Sequence, residues 1–105
     1  EIKNIAALCK SNNLYFYLDG ARLGSGLTAA NMTLPELTEL VDIFYIGGTK
    51  NGALLGEAIV INNSQLQENF RFYLKQRGAL LAKGRILGTQ FIELFTNNLY
   101  FTLLS

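Results

Sequence analysis

Apolar residues Ile2, Ile5, Ala6, Leu8 and Cys9 recur at helical spacing, and Ser11-Asn12-Asn13 supplies a polar stop, so the pattern predicts a helix ending near residue 11. Leu14-Tyr15-Phe16-Tyr17-Leu18 then runs without alternation, which reads as a strand covered on both faces and therefore parallel to its neighbour; Asp19-Gly20 closes it. Residues 21–30 are rich in Gly and Ala and irregular, a loop with room for one short helix. Leu34 to Val41 reads as a helix with Thr33 as N-cap and Pro35 in the first turn. Ile43-Phe44-Tyr45-Ile46 is a second buried strand, and the breakers Gly47-Gly48 and Asn51-Gly52 bound a turn. Glu57-Ala58-Ile59-Val60-Ile61 is a third strand, joined closely enough to the second to pair antiparallel. Asn62-Asn63-Ser64 precedes a helix over 65–77, and another spans 79–95 with Leu80, Leu81, Leu87, Phe91, Leu94 and Phe95; a further element starts at Leu99 and runs toward Ser105.

This order of elements predicts an α/β fold with a mixed, mostly parallel sheet flanked by helices. Three strands that are apolar on both faces call for further strands beside them and helices above and below. The chain is therefore expected to be a truncated part of a larger domain. The expected aromatic core comes from the first two strands.

Charge changes the picture by exclusion. With 105 residues, 9 Lys+Arg against 8 Asp+Glu, and 16% charged residues, the chain is too apolar for disorder and has no global drive toward nucleic acid or acidic lipid. The segment from Arg71 to Arg85 is basic and interleaved with Phe72 and Tyr73, but a solvated helix face or a contact to a phosphate or a subunit accounts for it better than nucleic acid does. No run is long and apolar enough for a membrane helix. One cysteine, Cys9, and no histidine leave neither a disulfide nor a Cys/His metal site, which fits a cytoplasmic protein without a metal.

Two residues stand where α/β sheets place their ligands, beyond the carboxyl ends of strands. Asp19 follows the first strand directly, and Lys50 lies four residues past the second, inside a Gly-rich turn where backbone can approach a ligand. A lysine in tight apolar surroundings loses hydration and can serve as a neutral amine toward an aldehyde, and Lys50 is expected in that setting. A carboxylate aimed at a pyridine nitrogen keeps it protonated, so that the ring withdraws electrons from a breaking bond. Asp19 could play that part.

The stretches Leu18-Asp19-Gly20-Ala21-Arg22-Leu23, Asp42 through Gly52 and Gly56-Glu57-Ala58 resemble the pyridoxal-phosphate enzymes of the threonine aldolase and aromatic amino acid β-eliminating lyase family, of fold type I. The resemblance implies that residues 1–105 are the C-terminal half of the cofactor-binding large domain, with the N-terminal half and the small domain absent. It implies pyridoxal 5'-phosphate as cofactor, Lys50 as the lysine that carries it, Asp19 on its ring nitrogen, Ala21 near the ring face, Thr49 offering a hydroxyl, and Arg22 gripping the substrate carboxylate. Where typical members have a Gly-rich run followed by Met-Arg-Gln, this chain has Arg77-Gly78-Ala79-Leu80-Leu81-Ala82-Lys83-Gly84-Arg85, so that Lys83 or Arg85 would replace a phosphate-binding arginine given to a neighbouring subunit. The implied activity is cleavage of threonine or allo-threonine to glycine and an aldehyde, in a homodimer or homotetramer. β-Elimination, transamination, or a non-catalytic remnant of such an enzyme are the alternatives. The short chain alone is expected to be inactive.

Overall fold

A computed structural model describes residues 1–103. Helix α1 (Ile2–Ser11) leads through Asn13, in the left-handed conformation, to strand β1 (Tyr17–Leu18). Helices α2 (Leu23–Ala30) and α3 (Leu34–Thr38) connect to β2 (Ile43–Ile46), and a loop leads to β3 (Ala58–Ile61). Helices α4 (Ser64–Gln67), α5 (Phe70–Gln76), α6 (Arg85–Phe95) and α7 (Leu99–Thr102) complete the described chain, with a 3-10 turn at Thr96–Asn98. The sheet is mixed, as the sequence predicts: β1 runs parallel to β2 with Tyr17 opposite Ile43, and β3 runs antiparallel with Ile46 opposite Ala58. Among the described residues no helix is long and apolar enough to cross a membrane.

Alternation along the strands sorts the two faces. Phe44 and Ile46 turn toward Leu23, Leu27, Leu37, Val41, Ala53, Leu94 and Tyr100, which form the buried core, with Leu18 and Val60 packed against it. Full burial of Phe44 stabilises by about 1.5–3 kcal/mol. Tyr17 and Ile59 lie on the other face, which this chain leaves open, at 56% and 45% exposure. The expectation of strands covered on both faces therefore holds for one face only, and the tyrosines of the first two strands are not core.

Several predicted elements are shorter than the hydrophobic pattern suggests. The first strand does not begin at Leu14, because Leu14 N–H closes onto Cys9 O at 2.9 Å and Phe16 N–H donates to the Asp42 carboxylate at 2.7 Å. The helix expected over 65–77 is broken by Asn69, which adopts φ 58°, a left-handed conformation that asparagine tolerates better than most residues. The helix expected from 79 starts only at Arg85, after Gly84. Conversely, the short helix for which residues 21–30 left room takes up most of that stretch, and Asn31 ends it in the left-handed conformation.

Helix α3 has the predicted cap. Glu36 N–H donates to Thr33 Oγ1 at 3.4 Å, and Glu36 Oε2 accepts Thr33 N–H at 2.7 Å, a reciprocal box that satisfies two otherwise orphaned donors. Thr33→Ala is expected to lower the stability of the fold by about 1 kcal/mol, measured as a lower urea midpoint at unchanged slope.

Candidate active site

The ends of β1 and β2 are brought together by close backbone approach. Gly47 N–H donates to Gly20 O at 2.9 Å. A Cβ on Gly20 would fall 1.7 Å from Tyr45 O, and one on Gly47 would fall 2.4 Å from Ala21 O, so only glycine lets the two chain segments lie this near. Asn51 locks them. It is 1% exposed, and its Nδ2 donates to Ala21 O at 2.9 Å and to Gly47 O at 2.8 Å, spanning the segment that carries Asp19 and the turn that carries Lys50. From below, the buried Tyr100 hydroxyl donates to Gly47 O at 3.1 Å, and Glu57 Oε2 accepts Gly48 N–H at 2.6 Å.

Asp19 stands at the mouth so formed. Its Oδ1 accepts Ala21 N–H at 3.1 Å and the Tyr45 hydroxyl, and Oδ2 accepts no hydrogen bond among the described residues. The Tyr45 hydroxyl holds the Asp19 carboxyl below the usual carboxylate range; Ala21 N–H adds to this, partial burial opposes it, and the nearby Lys50 ammonium contributes the smallest share. The turn that carries Lys50 is tied to the Asp19 segment through Asn51, but Lys50 makes no ion pair with Asp19 among the described residues and does not line the groove beside it. Asp19, Ala21 and Arg22 line a groove of about 740 Å³ whose other walls are mainly apolar, including Leu18, Leu23 and Leu27.

The tight apolar surroundings expected around Lys50 are not found in this chain. Thr49 and Lys50 are both exposed, because the turn buries its backbone at Gly47 and Gly48 and projects its crest outward. Lys83 and Arg85 line a separate surface groove with Ile86 and Thr89, away from the walls around Asp19. A residue given to a neighbouring subunit would lie apart from its own chain's site in this way. Among the described residues no cluster of metal-ligating side chains is present.

Residue-type reasoning missed Tyr45 and Asn51. Tyr45 could have been found from the period of two, since Tyr17 and Asp19 share a strand face and the register brings Tyr45 beside them. Asn51 sits next to Lys50 in a turn, where asparagine has an ordinary conformational explanation that hides its tertiary one.

An acid and an amine on segments tied together beyond the ends of β1 and β2 are what geometry alone offers, and comparison with known proteins gives the class. Residues 1–100 match the family described as beta-eliminating lyase, and the chain belongs to that family. It is 40% identical over 96 residues to a low specificity L-threonine aldolase of Pseudomonas sp. (strain NCIMB 10558), covering 90% of this chain and 28% of the relative. It is 31% identical over 88 residues to the alanine racemase TOXG of Cochliobolus carbonum, covering 83% of this chain and 22% of the relative. The solved structure of Leishmania major threonine aldolase matches with a TM-score of 0.91 and 48% identity over 97% of this chain and 30% of that one. The chain thus spans less than a third of the length of these relatives, and its fold is part of the threonine aldolase fold.

The residues present fit pyridoxal 5'-phosphate, the cofactor the family resemblance implies. A carboxylate held ionised, with one oxygen accepting no hydrogen bond among the described residues, suits a protonated pyridine nitrogen, and an accessible primary amine suits an aldehyde.

Proposed function

We propose that this chain carries the cofactor-binding centre of a pyridoxal 5'-phosphate-dependent lyase of the threonine aldolase type, which cleaves a β-hydroxy amino acid into glycine and an aldehyde. What supports this most is that the segment after β1 that carries Asp19 and the turn after β2 that carries Lys50 are tied together through Asn51 and Gly20–Gly47, in a chain whose relatives include proteins named threonine aldolases. Residues 1–105 form the C-terminal half of the cofactor-binding large domain in this reading. The complete protein is a cytoplasmic homodimer or homotetramer.

When bound, the cofactor supplies an electron-poor ring that accepts the electron pair of the bond being broken. Asp19 would accept the ring N–H and, as an anion, would keep that proton in place. Lys50 would be the amine that holds the cofactor's aldehyde and could move a proton at the substrate Cα. The Arg22 guanidinium grips the substrate carboxylate in a planar, two-bond fit. Ala21 would lie near the ring and Thr49 would offer its hydroxyl, while Lys83 or Arg85 would serve the phosphate held by a neighbouring subunit. For threonine the balance is complete: the β-hydroxyl loses its proton as Cβ–O becomes a carbonyl, the Cα–Cβ pair stays with Cα, and a proton added there gives glycine beside acetaldehyde.

Product analysis of the complete encoded protein tests this reading. Threonine or allo-threonine should yield glycine and acetaldehyde in equal amounts, dependent on added pyridoxal phosphate. 2-Oxobutyrate with ammonia would replace it by β-elimination. The relative named an alanine racemase favours a second reading, since racemisation also breaks a bond to Cα; D-alanine formed from L-alanine, with no cleavage of threonine, would select it.

A further inference from the structure

Beside Asp19, on the face of the sheet turned away from the core, the rings of Tyr17 and Tyr45 lie 6.4 Å apart, and the Tyr45 hydroxyl donates to Asp19 Oδ1. A carboxylate at a strand end can be held by backbone N–H groups alone, as Ala21 N–H already does in part. The tyrosine adds direction. Its ring rises from β2, whose register against β1 is fixed, so the hydroxyl approaches Asp19 from a set side. Both donors meet Oδ1, which fixes that oxygen and leaves Oδ2 without a hydrogen-bond partner among the described residues.

We infer that Tyr45 is a positioning residue of the site, which orients the Asp19 carboxylate so that Oδ2 meets the ring N–H of pyridoxal phosphate; this rests on the reading of Asp19 proposed above. The charged and titratable groups facing the pair are Tyr17 from β1, Lys50 from the turn and Glu57 from the approach to β3. Tyr45 is pushed up to about 12, first by its bond to Asp19 and then by partial burial, with the negative charge of Asp19 and the influence of Tyr17 and Glu57 adding to this. It therefore remains a donor throughout the neutral range. Asp19 is the group that titrates at the acid end. Its carboxyl is depressed mainly by Tyr45, so removing the hydroxyl lets it rise and take its proton at higher pH.

The test uses Tyr45→Phe in the complete encoded protein, with pyridoxal phosphate titrated spectroscopically across pH. Dissociation is expected to become about tenfold easier, the size of one hydrogen bond to a charged group, and the acid limb of cofactor binding should move to higher pH, with the melting temperature of the cofactor-free protein little changed. Unaltered affinity together with an unmoved acid limb overturns the inference while leaving the proposed function standing. Failure of the wild-type protein to bind pyridoxal phosphate overturns both. A second measurement does not depend on that variant folding: with ¹³C-labelled tyrosine Cζ, the Tyr45 signal should titrate at lower pH in Asp19→Asn than in wild type, and identical titrations overturn the pairing itself.

Discussion

Lys50→Ala in the complete encoded protein is expected to lower turnover of threonine by at least about 10³-fold, because it removes in one step the group that fastens the cofactor and the group that moves a proton at Cα. The fold should survive. Lys50 is exposed at the crest of a turn whose shape comes from its backbone: Asn51 N–H and Ala53 N–H both close onto Gly48 O, at 2.9 and 3.0 Å. The side chain contributes little to that geometry, so unfolding midpoints of variant and wild type should coincide. Borohydride reduction followed by peptide mapping separates the chemical role from a merely electrostatic one. Wild-type protein should carry the reduced cofactor on the peptide containing Lys50, and the variant should carry none. A reduced adduct on some other lysine of the variant, with turnover retained, would remove Lys50 from the reaction.

The exposure of that lysine also shows where sequence reasoning met its limit. The glycines of the turn Gly47 to Gly52 are expected from the sequence to let backbone come near a ligand; what they do here is let two chain segments approach each other, since Cβ atoms at Gly20 and Gly47 would collide with backbone across the gap. The inference from Gly-rich turn to desolvated amine did not hold for this chain, because burial of the turn backbone and burial of the side chain on its crest are separate quantities. Both pairing directions and the Thr33 cap were legible: the parallel pair from the unbroken apolar run of the first strand, the antiparallel pair from its short connection, and the cap from residues near in sequence. The breaks at Asn69 and Gly84 were not, because a few polar or small residues inside a helical pattern cost little locally, and tertiary packing decides whether the helix continues. Tyr45 escaped for a different reason. An apolar run such as Ile43-Phe44-Tyr45-Ile46 shows no alternation in hydrophobicity, yet the sheet sends Phe44 into the core and Tyr45 to the face where Asp19 waits.

Asn51→Asp is expected to destabilise the protein by roughly 3–5 kcal/mol, as two buried carbonyls each lose a donor and a carboxylate is left facing them. Asn51 is 1% exposed, and the orientation of its amide is fixed by its neighbours: Nδ2 meets Ala21 O and Gly47 O, and Oδ1 has no hydrogen-bond partner among the described residues. The substitution puts an oxygen where both carbonyls need a proton. Burial and repulsion raise the introduced carboxyl above its unfolded value, so the neutral form favours the fold below the unfolded value, and that advantage is lost as pH rises through the folded one. The gap to wild type should therefore widen between acid and neutral pH in urea unfolding. Asn51→Leu is the companion variant: it loses the same two donors but also removes the unpartnered amide oxygen and brings no charge, so its deficit should be smaller and independent of pH. Near wild-type stability of Asn51→Asp at neutral pH would mean that the two loops are held without this amide. If the amide does hold them, both variants should weaken the union of the Asp19 and Lys50 segments, since Ala21 O and Gly47 O lie one on each side of the mouth. Cofactor affinity should then fall in the order wild type, Asn51→Leu, Asn51→Asp, although Asn51 itself is not assigned to the cofactor and acts through Ala21 O and Gly47 O.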